Sequence, residues 1–293
     1  MAYRVAAVAA VGLLVAAAAV AVATTPRGKA DAATPAAALP DRPVLTIAHR
    51  GASGYAPENT LPAIELGVAQ HADLVEVDVQ RTKDGVLVVL HDTTLKRTTD
   101  VERLYPERGP WRLADFTYAE LAGLDAGSWF GEEFAGARVP RLSEVLDTLA
   151  DTDTGLLLEA KAPHLYPGIA QALADELDRR SDWTDSGRRL VVQSFDWRFI
   201  REYAELRPKT VLGVLGTPRP AELATIATYA DQVNPQHGSF DAAYQRKLHE
   251  LGLESFVWTI DDPEQLRATI GLGADGVITN RPDVLHRLLH PTR

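Results

Sequence analysis

From residue 44 onward, short runs of β-branched and aliphatic residues alternate with longer stretches in which apolar positions recur at helical spacing. Parallel strands joined by crossover helices produce this pattern, because each strand must be carried back over the sheet before the next can pair. The runs predict strands at 44–48, 74–79, 86–90, 156–160, 190–193, 211–214, 232–234, 256–259 and 276–279. A (β/α)8 TIM barrel uses eight of them, so one is surplus. The surplus run is 86–90. Only Gln80-Arg81-Thr82-Lys83-Asp84-Gly85 precedes it, too little for a helix, and Asp-Gly signals a tight hairpin. A turn at Lys83-Asp84 sets His91 opposite Glu76; a turn at Asp84-Gly85 sets it opposite Asp78. In either register His91 lies beside two carboxylates. The expected fold is therefore α/β, a barrel with an antiparallel hairpin after its second strand.

Two stretches break the rhythm. Residues 5–23 form an Ala, Val and Leu run behind Arg4, which reads as a secretory signal with candidate cleavage after Ala23 or Ala32. An uncleaved anchor is the competing reading, since the run approaches the roughly 20 residues that span a bilayer. Residues 24–39 are rich in Ala, Pro and Thr and read as a disordered linker. The chain thus divides into a signal and the start of a linker (1–32), the rest of the linker (33–43) and the barrel (44–293). Export is expected, or anchoring at the outer face of the plasma membrane, with membrane contact only if the first segment stays uncleaved. The second break, 93–141, carries Trp111, Phe116, Tyr118, Trp129, Phe130 and Phe134. It is expected to be an inserted cap over the barrel mouth, with a packed loop holding its own small core as the alternative.

Composition narrows the chemistry. The net charge is -10, and no cluster of Lys and Arg supplies the basic stripe that a nucleic-acid backbone needs. The absence of Cys removes disulfides, thiolate nucleophiles and thiolate metal sites. Any metal must be held by oxygen or imidazole.

Barrel enzymes carry their reacting groups at the carboxyl ends of the strands. The first strand offers His49-Arg50-Gly51, in which the Arg fork suits a phosphate oxygen pair. Pro57-Glu58-Asn59-Thr60 then leads into a helix over 61–70, with Asn59 or Thr60 expected as its N-cap. In Val75-Glu76-Val77-Asp78-Val79 the alternation puts both acids on one face. Inside a barrel those acids repel unless a cation or proton lies between them. Glu159 and Lys161 share a face at the end of a later strand. Glu76, Asp78 and Glu159 together describe a hard oxygen site for Ca²⁺ or Mg²⁺, and export favours Ca²⁺. His49 and His91 are the expected acid/base pair, in either order, while His164 and His237 fall in loops near strand ends.

The ordered set His49-Arg50-Gly51, Pro57-Glu58-Asn59-Thr60, Glu76-x-Asp78, Thr82-Lys83-Asp84-Gly85, His91-Asp92, Glu159-x-Lys161, Gln193-Ser194-Phe195, Val257-Trp258-Thr259 and Asp275-Gly276-x-x-Thr279-Asn280-Arg281-Pro282 resembles the glycerophosphodiester phosphodiesterases. The resemblance runs from about Leu45 to Arg287. It implies a barrel of the phosphatidylinositol phospholipase C type that hydrolyses small glycerophosphodiesters to glycerol 3-phosphate and an alcohol. It further implies Glu76, Asp78 and Glu159 as ligands of one divalent cation, and His49 and His91 as the acid/base pair. Arg50, Glu58 and Lys161 would contact phosphate or help hold the metal, and Trp258 would wall the glycerol pocket. The related fold suggests a cyclic phosphate opened by water, with direct attack by water as the other route. Rival readings are a lysophospholipase D or sphingomyelinase D-like lipid hydrolase, for which the aromatic insertion would form an apolar entrance, and a noncatalytic phosphate- or lipid-binding barrel.

Overall fold

The computed structural model describes residues 43–180, 183 and 189–291. The expected signal and nearly all of the expected linker lie outside them. One sheet holds β1 (Leu45–Ala48), β2 (Leu74–Arg81), β3 (Leu87–Val89), β4 (Gly155–Ala160), β5 (Leu190–Ser194), β6 (Val211–Leu215), β7 (Gln232–Asn234), β8 (Phe256–Val257) and β9 (Gly276–Thr279). Eight strands run parallel in the order β7-β6-β5-β4-β2-β1-β9-β8, and β3 pairs antiparallel with β2 outside that path. Single parallel bridges from Gln232 to Glu254 and from Gln236 to Trp258 draw the two ends together. The result is the expected barrel, nearly closed.

The alternation in β2 shows how the sequence builds it. Val75, Val77 and Val79 face outward and pack with Leu142, Val145, Leu146 and Leu149 of the helix Leu142–Ala150. Leu74 faces inward, where it meets Ile47, Leu157, Val191, Phe256 and Ile278 in a separate apolar layer. Full burial of each such side chain contributes about 1.5–3 kcal/mol. Further along β2 the same inward face carries Glu76 and Asp78. An apolar floor thus supports a polar mouth.

The hairpin register differs from both expected ones. Val79 pairs with Val89 and Arg81 with Leu87. Thr82 N–H donates to Val86 O at 2.9 Å and Gly85 N–H to Thr82 O at 3.0 Å, so the loop is Lys83-Asp84-Gly85, three residues rather than two. Gly85 has φ +89°, the left-handed position that three-residue hairpins end on. Asp84 is held inside the loop by Thr82 Oγ1 at 2.6 Å and by Tyr118 N–H at 2.9 Å. The odd loop brings Leu90 N–H onto Asp78 O at 2.9 Å. His91 therefore follows that pair and stands level with the strand between Glu76 and Asp78, opposite neither.

The insertion has its own core. Leu95, Leu113, Phe116 and Leu121 are fully buried with Val88 and Leu90 of the hairpin, and Trp111 packs against them. Trp129, Phe130 and Phe134 meet edge to face at 5.6 Å. The packed-loop alternative holds for Trp111, Phe116 and Tyr118, whereas Trp129 is exposed and, with Phe130 and Phe134, stands outside that core.

Candidate active site

β1 ends in a sharp turn. Arg50 has φ 56° and Gly51 φ 80°, and a Cβ on Gly51 would stand 2.4 Å from the Ala63 carbonyl, so only glycine lets the strand end meet the helix Leu61–Ala69. The left-handed Arg50 costs on the order of 1–3 kcal/mol and persists because its surroundings hold it. Its N–H donates to Glu76 Oε2 at 2.9 Å, and its carbonyl accepts from Asn59 N–H at 3.0 Å. One of the two expected N-caps holds the position, without side-chain capping. Thr60 is the N-cap residue, but its hydroxyl donates to Pro57 O at 2.6 Å and caps no helix N–H. Asn59 turns away and brackets Asp78, donating to Oδ2 at 2.9 Å and accepting from its N–H at 3.2 Å.

Asp78 on β2 lies directly across from Glu159 on β4. Glu76, Asp78 and Glu159 are 2%, 1% and 6% exposed, and one oxygen from each falls within 4.8 Å of the others. Burial pushes Glu76 well above the usual carboxylate range, with Asp78 and Glu159 adding repulsion. Burial and Asp78 likewise push Glu159 up to about 8. Asp78 goes the other way: burial would raise it, but Arg50 and Lys161 hold it below its ordinary value. Arg50 Nε approaches Asp78 at 3.2 Å, while Lys161 Nζ lies 2.9 Å from Glu159 and 3.5 Å from Asp78. An all-oxygen donor set under this much mutual repulsion fits one hard divalent cation.

His49 and His91 line one cavity of about 170 Å³ together with Glu76, Glu159, Lys161 and Trp258. His49 Nδ1 sits 2.7 Å from Asn280 Oδ1. The Asn280 amide is oriented by Asp261, which accepts from Nδ2 at 2.6 Å and from the Asn280 N–H at 2.8 Å. Its oxygen must then face His49, and the network assigns the proton to Nδ1, leaving Nε2 as an acceptor. Burial and the Arg50 charge lower His49 to about 4, so it is neutral near pH 7. His91 Nδ1 instead meets Asp92 Oδ1 at 2.7 Å. Arg97 bridges Asp92 and Glu58 with four bonds of 2.7–2.9 Å, and its hydrogen bond is the main cause of the fall of Asp92 to about 2. Glu58 also holds Arg50 at 2.7 Å. Glu58 thus stands behind Arg50 and does not line the cavity.

Trp258 donates its indole N–H to Asn234 O at 2.7 Å and meets Phe195 edge to face. His164 lines a neighbouring cavity, whereas His237 lines neither. No aromatic of the insertion lines the cavity shared by the two histidines. Asn280 belongs to the Thr279-Asn280-Arg281-Pro282 motif, but neither its contact with His49 nor that of Asp261 behind it is announced by a local pattern. Arg97 is legible only through the need of Asp92 for a partner.

A profile of the glycerophosphoryl diester phosphodiesterase family matches residues 49–284. The chain belongs to this family. As a member of it, the chain is an enzyme. A glycerophosphodiester phosphodiesterase of Caldanaerobacter subterraneus is 35% identical, with the match covering 84% of this chain and 97% of that one. One from Bacillus subtilis is 33% identical over 85% of this chain and 87% of its own length. Among solved structures, an Oleispira antarctica phosphodiesterase in complex with the product sn-glycerol-3-phosphate superposes with a TM-score of 0.75 at 29% identity, covering 83% of this chain and 96% of that one. The glycerophosphodiester phosphodiesterase of Agrobacterium tumefaciens gives 0.69 at 28% identity over 83% and 98%. The match over 49–284 spans every residue of the site just described.

Proposed function

We propose that the chain hydrolyses glycerophosphodiesters to glycerol 3-phosphate and an alcohol, using one divalent cation, Ca²⁺ or Mg²⁺, at Glu76, Asp78 and Glu159. The observation that carries this reading is the convergence of those three buried carboxylates beside two histidines in one cavity. Family membership and the product-bound relative support it. Weak extracellular Ca²⁺ sites, with affinities on the order of 10⁻⁴–10⁻³ M, suit an exported protein, and export rests on the apolar run at 5–23.

When bound, the cation supplies Lewis-acid charge that stabilises the phosphoryl oxygens. Arg50 and Lys161 add fixed positive charge at the same place and orient the diester. His49 Nε2 takes the proton of the attacking hydroxyl, the role its tautomer suits. Asp92 orients His91 through its contact with Nδ1, and the other ring nitrogen gives a proton to the departing alcohol as the bond from phosphorus to that oxygen breaks. On a cyclic route the histidines exchange roles for the second step, when water opens the ring. Trp258 closes the wall against which the glycerol carbons pack.

Product analysis on glycerophosphocholine in Ca²⁺, in Mg²⁺ and in chelator tests the reading. Glycerol 3-phosphate and choline, lost with chelator, are expected; phosphocholine as product, or binding without turnover, overturns it. The tautomer assignment carries a second expectation. Asp261→Ala frees the Asn280 amide to flip, so kcat should fall about 10- to 100-fold with KM little changed. An unaltered kcat would remove Asp261 from the positioning of His49.

A further inference from the structure

The cavity that holds both histidines measures about 170 Å³. This is below the roughly 300–1,000 Å³ of sites that enclose a drug-sized ligand. It has room for the glycerol phosphate half of a diester, and the alcohol half must lie outside. A second cavity of about 650 Å³ adjoins it, sharing Glu159, Lys161 and Phe195 as common walls. The far side of this groove is built by the loop after β4, with His164, and by the first turns of the helix Trp197–Leu206, with Arg198 and Arg201.

The charge of this groove is opposite to that of the protein. The chain carries a net -10. Yet with Lys161 and Glu159 paired to each other, the groove presents Arg198 and Arg201 against Asp196 alone. Asp196 is already occupied, its carboxylate accepting from the N–H groups of Arg198 and Phe199 at 3.0 and 3.3 Å. Among the described residues no carboxylate forms an ion pair with Arg198 or Arg201; Arg201 rests over the Tyr229 ring at 4.7 Å. Asp196 is the N-cap of this helix, so its charge is directed at the helix N–H groups, and Arg198 stands in the first turn beside it. Two arginines without a carboxylate partner, in a groove open to the reacting centre, attract an anion.

We propose that this groove holds the alcohol half of the diester, and that Arg198 and Arg201 select alcohols bearing their own negative charge, a phosphate or a carboxylate, over cationic ones. The inference rests on the phosphodiesterase reading above and names the substrate class for that site.

The test compares kcat/KM on three glycerophosphodiesters whose alcohols are glycerol phosphate, glycerol and choline. The expected order is anionic, then neutral, then cationic, with a ratio of about tenfold or more between the extremes, shrinking as salt is raised. Arg198→Glu combined with Arg201→Glu should collapse or invert the ratio of anionic to cationic turnover, while Arg267→Ala on a distant helix preserves it. An unchanged ratio in a double variant with the wild-type melting temperature overturns the proposal, as does a wild type without charge preference. Failure of the phosphodiesterase reading looks different: none of the three substrates is turned over.

Discussion

His91→Ala is expected to lower kcat by about 10²- to 10⁴-fold, the usual worth of a positioned proton donor, without altering the melting temperature by more than a degree or two. The separation of activity from stability follows from where the side chain sits. His91 is 28% exposed and is held by one hydrogen bond to Asp92. The contacts that fix the rim around it belong to Arg97, which reaches Asp92 and Glu58 whether or not an imidazole is present. The role assigned to His91 also predicts how the loss depends on substrate. A nitrophenyl leaving group departs without a proton, so the His91→Ala defect should shrink towards unity on a glycerophospho-nitrophenol, whereas His49→Ala should remain impaired on both substrates. Equal defects for the two variants on the two substrates would mean that the proton donor has been misassigned.

The legible part of this site is the part made by strand periodicity. In β2 the period of two decides at once that the valines pack outward and that Glu76 and Asp78 share the inside, and a barrel leaves those acids no water to face. Glu159 follows from the same argument on β4. The hairpin register was not legible, because the choice between a two- and a three-residue loop is made by contacts of Asp84 with Thr82 and with Tyr118, a residue 34 positions away. The same limit applies to His49. Its tautomer is decided by Asn280, 231 residues along the chain, and by Asp261 behind it. Such partners share no periodicity, and only the closing of the barrel between β1 and β9 brings them together. Asn59 is a milder case. Its place before a helix makes capping the natural expectation, but the charge-assisted bond from its Nδ2 to the buried Asp78 carboxylate turns the amide so that its oxygen accepts the Asp78 N–H and not a helix N–H.

Glu76→Gln should uncouple the protein from divalent cations, and the stability data should show it as clearly as the kinetics. Without a cation, burial and neighbouring carboxylates hold Glu76 above its ordinary value and push Glu159 up to about 8. The folded protein then keeps protons that the unfolded chain has released above about pH 4.5, its ordinary glutamate value. Because the folded state binds more protons, stability in chelator must fall as pH rises from about 4.5 to about 8, by up to about 1.4 kcal/mol per pH unit for each proton retained. A bound cation takes the place of those protons, flattening the pH dependence and adding about 2.7 kcal/mol at a concentration 100 times Kd. Gln keeps the size of Glu and an oxygen that can still accept the Arg50 N–H, yet removes one charge from the cluster. In chelator at pH 8 the variant should therefore melt above the wild type. On adding Ca²⁺ it should gain little, and its kcat/KM at a cation concentration saturating for the wild type should be at least about 100-fold lower. A wild type whose melting temperature ignores both chelator and cation between pH 5 and pH 8 would show that Glu76, Asp78 and Glu159 do not hold an ion.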